Sequence, residues 1–169
     1  MSGLLICFLL VHPSGDIVTE RVFGPEIPGK YKHPASITEL QSGDLYLVYY
    51  GGTGEYSDDS TVRGARQRKG EARWSMPKTI QPRPKLPEGN AVVWQAPDGV
   101  VWLFSVTRHG ATWSTSRIVA RTSTDGAETW TQPVELTTEA GTMVRCKPIV
   151  LADGSYLLPI GRASCRERV

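Results

Sequence analysis

Turn glycines followed by strand-like apolar runs recur in register along this chain. Gln41-Ser42-Gly43-Asp44 precedes LYLVYY, Ala96-Pro97-Asp98-Gly99 precedes VVWLFS, and Leu151-Ala152-Asp153-Gly154 precedes SYLLPI. Gly43, Gly99 and Gly154 are evenly spaced, the two intervals differing by a single position. A second landmark keeps the same interval: Trp74-Ser75-Met76-Pro77 and Trp130-Thr131-Gln132-Pro133 share W-x-x-P, and Trp130 follows Trp74 as Gly99 follows Gly43. Two independent markers with one spacing define a repeat, and a period of this size points to the blades of a β-propeller.

The content of each unit is β. Residues 34–40, a turn and residues 45–50 read as a hairpin whose second strand is nearly all apolar. Unit two repeats this with 91–95 and 100–106, then adds 117–122 before its own turn. Strands rich in Val, Ile, Tyr, Trp and Thr between Asp-Gly turns suit a pleated sheet packed on both faces. No window sustains a 3.6-residue apolar stripe, because Gly and Pro interrupt every candidate. The fold expected is all-β, a partial β-propeller with units near 31–80, 90–136 and 143–160. That amounts to two and a half to three four-stranded blades. Residues 81–89, with three prolines, read as an extended connection between blades. A propeller needs at least four blades to close, so a longer parent protein is expected.

The two ends carry expectations of their own. Leu4 to Val11, the longest apolar run, is eight residues within an N-terminal segment of 1–30. It is too short for a membrane-spanning helix, which needs about 20. It reads either as a weak signal peptide, which would make the protein secreted or periplasmic, or as a buried strand, which leaves a cytoplasmic location open. Residues 161–169, GRASCRERV, resemble the translation of a short-read sequencing adapter. They are expected to be a non-native tail that replaces the natural continuation.

Composition excludes several classes of function. The 169 residues carry 19 Lys and Arg against 17 Asp and Glu, a formal charge of +2. Without the suspect tail each count is 16, which leaves no excess for a phosphate-tracking, nucleic-acid-binding surface. Three scattered cysteines supply neither a disulfide framework nor a zinc site. His12, His33 and His109 are too dispersed for a metal cluster, so no metal is expected. Gly51-Gly52-Thr53-Gly54 lacks the G-K-S/T ending of a phosphate loop, and no cofactor is implied.

Ser123-Thr124-Asp125-Gly126-Ala127-Glu128-Thr129-Trp130 resembles the Asp-box, the S-x-D-x-G-x-T-W turn, with Ala127 at the glycine position. Ser and Asp there accept backbone N–H bonds in a tight turn, while Thr and Trp anchor it on the sheet. The corresponding stretch in unit one, residues 67–74, keeps only the tryptophan. An ordered series extends the likeness over residues 31–159: Tyr31-Lys32-His33-Pro34, GDLYLVYYGGTGE, Asp59, the first W-x-x-P, Asn90, PDGVVWLF, the Asp-box-like turn, and residues 147–154. This series resembles the sialidase-like BNR-repeat family.

The resemblance implies a six-bladed propeller that grips a sugar carboxylate with three arginines. A loop aspartate serves as acid/base, and a tyrosine–glutamate pair in late blades as nucleophile. The first arginine of the family falls at Lys32, which keeps the charge but not the planar fork suited to a carboxylate. The acid/base position falls on Asp59, with Asp58 beside it. Two adjacent carboxylates are expected to raise one pKa, as a general acid needs. His33, Glu55 and Arg145 are the remaining substrate-binding candidates, with Lys147 next to Arg145; Glu55 could instead pair with Arg63 or Arg66. One of the tryptophans 94, 102, 113 and 130 could form a sugar-stacking platform, although most aromatic residues of a propeller are core. The activity implied is removal of terminal acidic sugars from glycans. Alternatives are a non-catalytic glycan-binding or scaffolding propeller, or an enzyme for uronate- or rhamnose-containing polysaccharide.

Overall fold

The structure is a computed structural model and describes residues 6–11, 15, 17–24, 27, 30–80, 82–83 and 85–163. Among the described residues there is no α-helix, and the one helical turn is a 3-10 segment, Trp113–Thr115. β1 (Ile6–Val11) and β2 (Ile17–Phe23) form an antiparallel hairpin. The signal-peptide reading also rests on residues 1–5, which lie outside the described residues.

The first unit is a four-stranded antiparallel sheet in chain order: β3 (Tyr31–Glu39), β4 (Leu45–Gly52), β5 (Thr61–Gln67) and β6 (Lys78–Thr79). The second copies it with β7 (Glu88–Gln95), β8 (Val101–Arg108), β9 (Ser116–Ser123) and β10 (Val134–Glu135). The third unit contains β11 (Thr142–Val144), β12 (Ile149–Val150), β13 (Tyr156–Leu157) and β14 (Ile160–Arg162). β11 pairs with β14 and β12 with β13, so these four short strands make one long interrupted hairpin. Gly161 and Arg162, set outside the fold by the sequence reading, lie in β14. Residues 164–169 fall outside the described part.

The repeat is written into the turn bonds. The N–H of Gly43, Gly99 and Gly154 donates to the carbonyl of Leu40, Ala96 and Leu151, at 2.7, 2.9 and 2.9 Å. Each turn is closed by a bond in the other direction, into the carbonyl of Asp44, Val100 or Ser155, at 2.8–2.9 Å. The three glycines have φ of 83°, 88° and 84°, a left-handed conformation that disfavours any Cβ.

β4 explains why its sequence is continuously apolar. Tyr46, Val48 and Tyr50 belong to the core that joins the two sheets, with Val93, Leu103 and Val106. Leu47 and Tyr49 point to the other face, where Phe23, Ile27 and Ala65 cover them. A strand buried on both sides cannot alternate with polar residues. The third unit contrasts: Ile149, Leu157 and Ile160 are each 52–53% exposed.

β7 begins at Glu88, inside the stretch expected to be a linker. Its N–H donates to the Ser60 carbonyl of sheet one at 2.9 Å. Its carboxylate, fully buried, meets Arg121 of β9 at 2.6 Å and accepts the Val62 N–H of β5 at 3.4 Å. Burial raises the Glu88 pKa, and the nearby guanidinium of Arg121 opposes that shift. Arg121 holds the carboxylate in place within the second sheet, and the Ser60 and Val62 bonds tie that sheet to the first at one register.

Candidate active site

The sequence candidates of unit one gather at the end of the sheets where β3 begins, β4 ends, and β8 ends. β4 runs into a loop, residues 53–60, that turns back into β5. Asp59 organises this loop from within. Its carboxylate accepts the Thr53 N–H at 3.0 Å and the Thr53 hydroxyl at 3.1 Å. Gly52 makes room for it, since a Cβ there would fall 2.6 Å from Asp59 Oδ1. Hydrogen bonds from Ser57 and then Thr53 hold the Asp59 carboxyl below its ordinary pKa. This corrects the expectation of a raised value. The neighbouring carboxylate does not crowd it, because Asp58 turns to Arg108 of β8 at 3.0 Å.

Glu55 is exposed and faces Tyr31, whose phenol also meets Tyr50. The alternative pairing of Glu55 with Arg66 is not made, because Arg66 is engaged with Asp44 at 3.0 Å and Glu128 at 3.3 Å. His33 packs against Tyr31 and Tyr50, with Nδ1 3.5 Å from the Tyr50 hydroxyl. Burial and the neighbouring Tyr31 push the Tyr50 phenol well above its usual pKa, so it stays a neutral donor. Trp113 is 6% exposed, covered by Tyr56 and seated on Gly89, where a Cβ would fall 2.7 Å from the indole. It is core and offers no open platform.

Arg145 sits elsewhere. It lines a groove of about 460 Å³ with residues 34–37 of β3, residues 90–92 of β7, Val144 and Lys147. The first strands of all three units therefore converge there. Asn90 adopts φ 44°, an uncommon value for a non-glycine residue, and its buried Nδ2 has no hydrogen-bond partner among the described residues. Partial desolvation lowers the Lys147 pKa, although the side chain keeps access to solvent.

Lys32, expected at the same funnel end as Arg145, does not line this groove. By the repeat interval Lys32 corresponds to Glu88 and Met143, and all three are buried, at 9%, 0% and 6%. Arg145 corresponds instead to Pro34 and Asn90, the irregular points of β3 and β7 where the pairing register shifts. Pro34 has no N–H to give to the ladder, which is why the strand breaks register there. A second cleft, about 440 Å³, lies toward the other end of β4, between the β5–β6 turn and residues 127–130. Of the substrate-binding candidates it holds Trp130, one of the four tryptophans weighed as a sugar platform, and none of the charged ones.

Sequence reasoning missed Arg108, Tyr31, Tyr50 and the Glu88–Arg121 pair. The repeat holds a signal for the first: Arg108 stands one repeat interval after Gly52, at the matching end of β8. A residue type that breaks the repeat at a strand end marks a local job.

The family described as BNR repeat-like domain matches residues 43–168. The chain belongs to this family. No curated protein sequence matches the BNR chain. Among solved structures, the Hadza microbial sialidase Hz136 superposes with a TM-score of 0.65 at 15% identity. The likeness covers 78% of this chain and 32% of that one. A protein of unknown function from Dyadobacter fermentans gives 0.58 at 16% identity, covering 71% and 43%. The BNR chain thus spans about a third to two fifths of the length of these structures. At such identities the likeness speaks to fold.

Proposed function

We propose that this BNR chain is part of a sialidase-like glycoside hydrolase that removes terminal acidic sugars from glycans. Its repeat units are read as blades of a six-bladed propeller, the Ser123–Trp130 turn as an Asp-box, and residues 161–169 as a non-native tail. The observation that carries the reading is the groove at the convergent first strands. It holds two cations, Arg145 and Lys147, beside a strained Asn90 with an unpartnered buried amide. Two cations and an amide donor suit a sugar that bears both a carboxylate and neutral polar substituents. The solved protein titled a sialidase shares the fold, which favours this chemistry without assigning it.

In this reading Arg145 receives the sugar carboxylate and Asp59 transfers the proton to the leaving oxygen. Asp58 and Glu55 shape the same loop, and His33, packed on Tyr31 and Tyr50, stands beside it at the start of β3, whereas the buried Lys32 takes no part in the groove. Because Asp59 is held ionised by Thr53 and Ser57, proton donation improves as pH falls. Removing the Thr53 hydroxyl with Thr53→Val should raise the Asp59 pKa and move the alkaline limb of the pH profile upward. The deciding experiment assays the complete protein for release of sialic and uronic acids from glycans. Arg145→Ala should raise KM at least tenfold for the acidic substrate, and Asp59→Asn should abolish turnover on substrates with poor leaving groups. Unchanged kinetics in both variants would refute the assignment.

A second reading, a glycan-binding propeller without turnover, is favoured by one observation. The Asp59 carboxylate is already satisfied within its own loop. Retained glycan affinity with no hydrolysis of any acidic-sugar substrate would select it.

A further inference from the structure

Arg108 is the last residue of β8, and its side chain is 5% exposed. Its two terminal nitrogens divide their work between two loops. Nη1 donates to the carbonyls of Gly110 and of Ala111, the latter at 3.0 Å, in the loop that leads to Trp113. Nη2 crosses to the other sheet and donates to the Tyr56 carbonyl at 2.8 Å, the Ser57 carbonyl at 3.5 Å and Asp58 Oδ1 at 3.0 Å. The guanidinium carbon lies 5.8 Å from the centre of the Trp113 ring, which in turn packs on Tyr56 and Tyr50.

A buried cation needs partners in several directions, and here most of them are main-chain carbonyls of residues 56–57 and 110–111. Only a planar fork can serve two strands of backbone at once; a lysine offers one point charge. The exposed Asp58 carboxylate, 93% accessible, adds little by itself because water screens it. The binding strength therefore lies in the carbonyl contacts, which fix backbone rather than side chains. Residues 56–58 are the stretch immediately before Asp59.

We infer that Arg108 is a positioning residue that clasps the 53–60 loop of the first unit to the second, and so sets where Asp59 stands. The role of Asp59 in proton transfer rests on the function proposed above; the clasp itself rests on the geometry alone. The candidate site is thus a product of two repeat units: bonds within the first shape the 53–60 loop around Asp59, and the clasp from the second sets where that loop stands.

Hydrogen exchange on this chain tests the clasp directly. The Thr53 and Gly54 amides, bonded to Asp59 and Ser57, report on the first loop. The Thr115 amide, bonded to the Thr112 carbonyl, reports on the second. In Arg108→Lys all three should exchange about tenfold faster, while Val48 and Val93 in the core keep their rates. Unchanged loop exchange overturns the inference. Should the variant fail to fold, the wild-type chain still decides: both loops should lose protection together as denaturant rises, and independent opening overturns the clasp.

In the complete enzyme, Arg108→Lys should lower kcat by ten- to a hundredfold on a poor leaving group. KM should stay within about twofold, and the loss should shrink on an activated aryl leaving group. The two readings fail separately. An active Asp59→Asn enzyme ends the proton-transfer role but leaves loop exchange as the test of Arg108. Normal exchange and kcat in Arg108→Lys, with Asp59→Asn inactive, ends the clasp alone.

Discussion

The β5–β6 and β9–β10 connections sit one repeat interval apart and are framed by the same bonds. The Ser75 N–H donates to the Arg66 carbonyl at 2.7 Å, as Thr131 does to Thr122 at 2.9 Å. In return the Arg66 and Thr122 N–H groups each donate to the hydroxyl of Ser75 or Thr131, at 3.0 Å. Inside that frame the two turns differ. In the second, Asp125 accepts from the Ser123 hydroxyl, from the N–H groups of Glu128 and Thr129 and from the Thr129 hydroxyl. In the first, the matching position is Lys69, whose N–H goes outward to Asp44 of the β3–β4 turn at 2.9 Å. One turn is held by its own side chains. The other is held by a neighbour, and Arg66 extends the dependence by reaching Glu128 and the Gly126 carbonyl of the second turn. The repeat thus conserves the frame of a turn while its filling is free to be local or borrowed.

The sharpest way to break this comparison is to empty each turn in the same place. Asp125→Ala should destabilise by about 2 kcal/mol through the loss of four acceptor contacts. It should do so with faster exchange confined to residues 123–131. Lys69→Ala should stay within about 0.5 kcal/mol, because only its backbone takes part. Equal losses by thermal or urea unfolding would show that the turns are not held differently.

Asp44→Ala should come next, at about 1.5 kcal/mol, since it removes both the Lys69 acceptor and the Arg66 ion pair. Its effect should spread to the amides of both turns through Arg66; loss confined to Lys69 would separate them. Acid should then resolve the two. Both carboxyls are held below their ordinary pKa, Asp125 mainly by the Thr129 hydroxyl and more strongly than Asp44, which is lowered mainly by the Lys69 N–H. A lowered folded pKa contributes stability that is complete above the unfolded value, about 3.9, and vanishes as pH falls through the folded one. The Lys69 amide should therefore lose protection at a higher pH than the Thr129 amide, and the reverse order would break the account. The smallest effect should come from transplanting the local filling. Gln67→Ser with Lys69→Asp should leave the unfolding midpoint in urea almost unmoved, because the frame already closes without it, and a large gain would show that the borrowed filling is the weaker one.

Much of the fold was legible because the repeat rests on turn chemistry. Gly43, Gly99 and Gly154 need left-handed backbone, and that demand leaves a mark in sequence. The continuous apolar run of β4 likewise announced burial on both faces. The candidate site was less legible. Lys32 reads as a family cation, but its register places it with Glu88 and Met143 at a buried position, and a single strand does not announce which face is covered. The Asp59 pKa depends on Thr53 and Ser57, whose hydroxyls could have faced solvent. Arg108 acts on carbonyls of another unit, and carbonyls have no residue type to betray them.

The Glu88–Arg121 pair has a consequence for how such a molecule could grow by duplication. Fresh copies of a repeat are interchangeable, so a gene could gain or lose one without penalty. Once Glu88 bonds the Val62 N–H of the preceding unit, the copies acquire an address: the second fits behind the first and nowhere else. Position 32 in the first unit and 143 in the third hold Lys and Met, neither of which carries the carboxylate that answers both that N–H and Arg121. A recombinant that exchanges unit order would carry the Glu88–Arg121 pair along intact but part Glu88 from the Val62 N–H and the Ser60 carbonyl, the polar bonds that seat the second unit behind the first.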